Sequence, residues 1–172
     1  MNRFLLLVAL TVVVVIGITL RFSGSHGPLA QHASKVLVLK TDHKLLLLDG
    51  GNNVMRTYSI AIGRGGIEPK QHQGDHKTPE GFYVIDRHKA NSRFHRALHI
   101  SYPNDADRQR AQELRVDPGG DIMVHGIQNG LGWLGPLHRG VDWTDGCIAV
   151  TDIEIDEIYS AVPDGTPIEI RR

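Results

Sequence analysis

The stretch Val-Asp-Trp-Thr-Asp-Gly-Cys-Ile-Ala-Val, residues 141–150, holds the only cysteine of the chain, Cys147. A lone thiol cannot close an internal disulfide. Cys147 is therefore a reactive or intermolecularly pairing group, or else a small buried hydrophobe. A thiol becomes a nucleophile when its pKa is lowered or a neighbour takes its proton. Gly146 permits a tight turn beside it, and consecutive N–H groups at such a turn converge as an oxyanion hole. Of the ten histidines, His125 is the best-placed base. It ends the apolar run Asp-Ile-Met-Val-His-Gly, and a strand-end imidazole facing a turn thiol makes a thiolate–imidazolium pair. His72, His76, His88, His95 and His99 lie among charged or polar residues and read as solvated. His138 lies in an irregular stretch and is a second candidate to line the cleft.

Two other chemistries compete. His72 and His76, like His95 and His99, have the i,i+4 spacing that would put zinc ligands on one helix face. The first pair sits in a Gly/Pro-rich loop, and no glutamate occupies the position that His-Glu-x-x-His would require. Serine hydrolysis has less support still, because the chain contains no Gly-x-Ser-x-Gly. Neither a metal nor an organic cofactor is expected.

The elements that must position Cys147 and His125 are mostly strands. Lys35–Lys40 and the Leu-Leu-Leu-Leu-Asp run after a Thr-Asp-His-Lys turn read as a hairpin, and residues 54–63 as a third strand. Residues 63–79, rich in glycine, histidine and lysine, form a long surface loop of the kind that carries function. Strands follow at Gly-Phe-Tyr-Val-Ile-Asp-Arg-His and around Leu98–Tyr102, then a short surface helix over Asp105–Arg115 opened by its aspartate. Residues 126–143 are an irregular excursion between the His125 strand and the cysteine. In it, Trp143 reads as packing beside the motif. Trp133 is either a wall of the cleft or loop packing. The run after Thr151 is a helix, with Thr151 and Glu154 in a capping-box pattern and Ile155, Ile158, Tyr159 and Val162 on one face. Pro163 and Gly165 end it, and Thr-Pro-Ile-Glu-Ile is a closing strand.

Composition excludes some partners. With 41% hydrophobic and 22% charged residues the chain is that of an ordinary globular domain. Lys+Arg and Asp+Glu both total 19, so nucleic acid, which requires a basic stripe or surplus, is not the expected partner. Residues 1–25 read as targeting sequence: Arg3, an apolar run from Phe4 to Leu20, then Arg21 and the small residues Ser23-Gly24-Ser25. A cleaved signal peptide and an uncleaved inner-membrane anchor over residues 4–20 both fit. Residues 26–34 read as a linker and 35–172 as the catalytic domain. The domain is expected to be exported and to touch the membrane only through its N-terminal segment.

His125-Gly126 followed by Thr-Asp-Gly-Cys at Thr144–Cys147 resembles the L,D-transpeptidase catalytic domain, the YkuD family. Its signature is His-Gly, a variable gap, then Ser/Thr-His-Gly-Cys. The resemblance extends over about residues 35–170, through Gly74-Asp75, Thr78-Pro79-Glu80-Gly81 and the Asp-Gly-Thr-Pro-Ile-Glu-Ile ending. The pattern is similar to the Gram-negative subgroup that includes the YafK-like proteins. It implies a mixed β-rich α/β fold: a YkuD-like β-sandwich with a few short helices, preceded by the N-terminal apolar segment.

The resemblance further implies that Cys147 is the nucleophile, His125 its base, and the Gly126 carbonyl the group that orients the imidazole. N–H groups of Gly146 and Cys147 would hold the oxyanion. The substrate would be a peptidoglycan stem peptide, attacked after its third residue, a diamino acid, with D-alanine leaving. An amine acceptor would resolve the thioester by crosslinking or by attaching a protein, with a wall-attached lipoprotein as one candidate partner. Water would make the enzyme a peptidase or a wall-protein-releasing amidase. A catalytically silent wall-binding module is the third reading, and carbapenems are expected to acylate Cys147. Two positions depart from the family. Asp145 stands where the motif has histidine, and Ile148-Ala149-Val150 stand where arginine or asparagine is common. An aspartate there raises the thiol pKa, unless it points elsewhere or binds the amino end of the diamino acid. Arg139, and after it Arg93, are the candidates to grip the substrate carboxylate, with Thr144 and Asp145 as further substrate contacts.

Overall fold

The computed structural model describes residue 29 and residues 31–172. The expected signal or anchor, 1–25, and the start of the expected linker lie outside the described residues. The end of that linker already belongs to the domain. Ala33 is buried and donates its N–H to the Ala161 carbonyl, and Ser34 donates to that of Leu48.

Alternation of apolar and polar residues builds the first strands. In β1 (Lys35–Leu39) and β2 (Lys44–Leu48), Val36, Val38, Leu45 and Leu47 face inward. β3 (Val54–Ser59) pairs antiparallel with β2. The long β4 (Gly81–Ser92) and β5 (His95–Ile100) form an antiparallel pair. Next come α1 (Asp105–Leu114), β6 (Met123–His125), a 3₁₀ segment (Gly132–Gly140), β7 (Ile148–Ala149), α2 (Asp152–Ala161) and β8 (Pro167–Arg171). Asn104, not Asp105, caps α1: its side chain accepts from the Asp107 N–H while the Asp107 carboxylate accepts from the Asn104 N–H.

The last strand occupies the middle of the sheet. The order is β3-β2-β1-β8-β4-β5-β6-β7, with β8 parallel to β1 and antiparallel to β4. Ile168 and Ile170 of β8 join Val36, Val38, Leu47, Ile85, Leu98, Ile100, Val124 and Ile148 in the core. The two ends of the sheet then meet. Just beyond β3, Ala61 exchanges backbone hydrogen bonds of 2.9 and 2.8 Å with Ala149 of β7. α2 presents its buried Ile155 and Ile158 to this core.

β6 and β7 are parallel neighbours, and parallel neighbours cannot be joined by a tight turn. The irregular stretch between them is that crossover, with the 3₁₀ segment kinked at Gly135. The long loop after β3 is pinned by two lysines. Lys40, fully buried, donates to the carbonyls of Thr78 (3.0 Å) and Glu68 (3.2 Å) and pairs with Glu80 at 2.8 Å. Farther along, Lys70 pairs with Asp75 at 2.9 Å. Burial works to raise the Asp75 pKa, but Lys70 and the N–H groups of Gln71, Lys77 and His72 bring it down to about 2.

Removing Lys40 strands Glu80 and two carbonyls, and breaking such a buried pair is strongly destabilising. Lys40→Met should lower the unfolding free energy by about 3 kcal/mol in urea denaturation, and Lys40→Met/Glu80→Gln should recover part of the loss. A single variant as stable as wild type would contradict this role.

Candidate active site

The β6–β7 pairing brings the two predicted groups together. Val124 lies opposite Ile148 and His125 opposite Ala149, with the Val150 N–H bonded to the His125 carbonyl at 3.0 Å. Cys147, one residue before β7, therefore stands beside the start of β6. Its thiol donates to the Asp121 carbonyl at 3.6 Å and receives the Met123 N–H. Cys147 and His125 line one cleft of about 150 Å³, with Phe94, Asp121, Lys89 and Arg93 around them.

His125 is buried, and its Nδ1 lies 2.7 Å from the Gly126 carbonyl oxygen. A carbonyl can only accept, so Nδ1 carries the proton and Nε2 keeps its lone pair. Aromatic rings hold the imidazole in place, with the Phe94 centroid at 4.5 Å and Trp143 edge-on at 5.8 Å. Trp143 is thus the packing residue the sequence suggests, and it donates to His138 at 3.3 Å. His138 is buried against a neighbouring apolar cavity of about 280 Å³ and does not line the cleft with Cys147. Trp133 is neither wall nor packing, for 77% of it is exposed.

Burial disfavours charge on both members of the pair and so works against the thiolate–imidazolium expected from the sequence. Burial pushes His125 down to about 4, with His138 adding to the shift and the Gly126 carbonyl opposing it. Burial also pushes Cys147 up to about 11, reinforced by Asp145 and Asp121 and opposed by the Met123 N–H and Lys70.

The motif turn is braced internally. Thr144 is buried, its hydroxyl accepting from the Gly146 N–H (3.2 Å) and donating to the Cys147 carbonyl (2.7 Å). Thr144 is therefore no substrate contact, and the Gly146 N–H is already engaged. Gly146 is required on two grounds. Its φ is +122°, and a Cβ would lie 2.7 Å from the Lys77 carbonyl oxygen.

The order of the arginine candidates reverses. Arg139 is paired with Glu154 of the α2 capping box and largely buried, so it cannot turn to a substrate without unpinning the helix. Arg93 is exposed on the cleft rim, its guanidinium 6.0 Å from the Phe94 centroid. Most of the histidines read as solvated in fact pair with aspartates: His76 with Asp145, His88 with Asp164, His95 with Asp156 and His99 with Asp86. The i,i+4 histidine pairs are thus occupied separately, and no metal-ligating cluster exists among the described residues. No local sequence pattern marks Phe94, Lys89 or Asp121 as site residues, because they reach the cleft only through the β4–β5–β6 arrangement.

Residues 33–170 match the family described as YkuD, the L,D-transpeptidase catalytic domain. The chain belongs to that family. It is 35% identical over 128 residues to YafK of Escherichia coli (strain K12), covering 73% of this chain and 42% of YafK. The structure is similar to that of Pgp2, a helical cell shape determining protein of Campylobacter jejuni. That match has TM-score 0.61 at 24% identity and covers 83% of this chain and 49% of Pgp2. An L,D-transpeptidase of Xylanimonas cellulosilytica (residues 123–326) matches with TM-score 0.54 at 16% identity, over 84% of this chain and 63% of that one. At these identities the two structures speak for the fold, a mixed sheet with few helices. The chain spans less than half the length of YafK and of Pgp2.

Asp145, the departure from the family motif, is held against the long loop. Its carboxylate lies 2.9 Å from Arg64 and 2.8 Å from His76, both on the long loop. The loop thus brings two basic side chains against the carboxylate in the motif. A negative charge nearby disfavours the thiolate, so removing it lowers the thiol pKa. Asp145→Asn should speed iodoacetamide alkylation of Cys147 at pH 8 by roughly two- to fivefold. Arg64→Gln should slow it, because the carboxylate is then less compensated. Identical rates in all three proteins would show that Asp145 has no electrostatic hold on the thiol.

Proposed function

We propose that this domain is an exported cysteine L,D-transpeptidase acting on peptidoglycan stem peptides. The observation that carries the reading is the buried His125, with Nδ1 bound to the Gly126 carbonyl and its other nitrogen left basic in a cleft shared with Cys147. Membership of the family supplies the substrate class.

The steps follow from neutral partners. As Sγ attacks the carbonyl carbon of the third stem residue, its proton passes to Nε2 of His125. The Cys147 N–H stabilises the oxyanion. Collapse breaks the bond to D-alanine, whose amine takes the proton from the imidazolium and leaves a thioester. An acceptor amine then attacks the thioester, its proton returns through His125 to sulfur, and an amide forms. No step calls for a metal or an organic cofactor. Arg93 on the rim is positioned to meet a substrate carboxylate, and an acceptor on a crosslinked strand or a wall-attached lipoprotein suits the same chemistry. Residues 1–25 would deliver the domain to the periplasm, by cleavage or as an anchor.

Purified muropeptides incubated with the enzyme should yield crosslinked products when an amine acceptor is present, and Cys147→Ala should abolish turnover by at least about 10⁴-fold. Tripeptides alone, with or without acceptor, would reassign the site to hydrolysis. Unchanged turnover in the variant would remove Cys147 from catalysis.

The pH profile has a definite sign. Protonation of His125 removes the base, so kcat/KM should fall only as pH drops toward about 4, and the alkaline fall should approach about 11. An acid limb at or above the ordinary histidine value would contradict the buried neutral imidazole.

A further inference from the structure

The Gly126 carbonyl that receives His125 Nδ1–H belongs to the same peptide unit as the Ile127 N–H. That N–H donates to Asp152 Oδ1 at 2.8 Å, while the carbonyl accepts from His125 at 2.7 Å. One planar amide therefore has a carboxylate on its N–H and an imidazole on its C=O. We propose that Asp152 is a positioning residue that acts on His125 through the Gly126–Ile127 peptide, orienting that carbonyl and making it more negative. The inference rests on the reading of Cys147 and His125 as nucleophile and base.

The seat of Asp152 is built closely around this contact. As the first residue of α2, it points its carboxylate back over the crossover. A Cβ on Gly126 would lie 2.7 Å from Oδ1, and one on Gly132 would lie 2.2 Å from Oδ2. Two glycines, one beside His125 and one at the start of the 3₁₀ segment, thus give the carboxylate its room. Helix α2 is itself fixed, since Glu154 closes the cap on Thr151 and pairs with Arg139. A charged acceptor binds an amide N–H more strongly than a neutral one, and linked hydrogen bonds polarise one another. A planar amide passes that polarisation from N–H to C=O, which favours Nδ1 protonation and the transient imidazolium. This parallels the role of a carboxylate bonded directly to the base histidine of a triad. The position after His125 admits no such direct contact, because the backbone carbonyl already fills it.

Other charges around the pair are accounted for. On the α2 and crossover side they are His138, Arg139 and Glu154, the last two paired with each other. Across the cleft stand Arg93, Lys89, Asp121 and Cys147. None of these side chains hydrogen-bonds to the Gly126–Ile127 peptide, whereas Asp152 does.

Asp152→Asn keeps an acceptor oxygen and removes the charge, and Asp152→Ser offers a neutral hydroxyl. In both, kcat for stem-peptide turnover should fall roughly ten- to a hundredfold with KM little changed. The acid limb of the kcat profile should move to lower pH, and 15N spectra of His125 should show loss of Nδ1-protonated imidazole. A merely structural role would lower the melting temperature without shifting limb or tautomer. Folded variants with a wild-type acid limb and tautomer would overturn the proposal, as would loss of the fold in both. Failure of the underlying reading looks different: Cys147→Ala would then retain turnover in the otherwise wild-type protein.

Discussion

The parallel pairing of β6 with β7 governs the site. Two strands of three and two residues put Val124 opposite Ile148 and His125 opposite Ala149, and that register fixes thiol and imidazole in one cleft. Pairs this short hold no register alone. Theirs is imposed by β5 on one side, where Ala97 faces His125, and by Ala61 beyond β3 on the other. The sheet has to close on itself before the site exists, so the core and the active site form one cooperative unit. The parallel direction also forces the long crossover, which carries Trp143 against the imidazole and Gly132 against Asp152.

The electrostatics of the cleft oppose charge on both reacting groups. Burial holds the imidazole neutral and raises the thiol, and the aspartates nearby add to the second effect. On the proposed mechanism such a site would gain little by storing a thiolate and would move the proton as the carbon–sulfur bond forms. Orientation then matters more than resting acidity. The bond from Nδ1 to the Gly126 carbonyl, the ring of Phe94 and the carboxylate of Asp152 all constrain the direction of the Nε2 lone pair. Asp145 is kept from worsening the thiol further by being drawn to Arg64 and His76 on a loop that Lys40 and Lys70 hold down.

What could be read in the sequence was local. Cys147 and His125 stand out because a lone thiol after glycine and a histidine closing an apolar strand are visible within a few residues. The Thr151–Glu154 cap is equally local and is present in the structure. The residues that escaped depend on distant pairings. β8 inserts between β1 and β4, which no pattern within Thr-Pro-Ile-Glu-Ile announces. Phe94 and Asp121 enter the cleft through strand register, and Asp152 acts across a peptide 25 residues earlier in the chain. Arg139 stands out as a carboxylate-binding candidate because it lies close to the motif along the chain. Its actual partner is Glu154 of α2, a pairing that no local pattern announces. Histidines among charged neighbours read as solvated because neighbours along the chain say nothing about aspartates that the fold brings in from distant strands, helices and turns.

The central claim is that the Cys147 sulfur attacks an acyl donor with His125 as its base. Intact-mass spectrometry after incubation with a carbapenem, followed by peptide mapping, tests it most directly. One adduct per chain on Cys147, formed much more slowly in His125→Gln and absent in Cys147→Ala, is the predicted result. No adduct on the folded wild-type protein, or an adduct that persists in Cys147→Ala, would contradict the account.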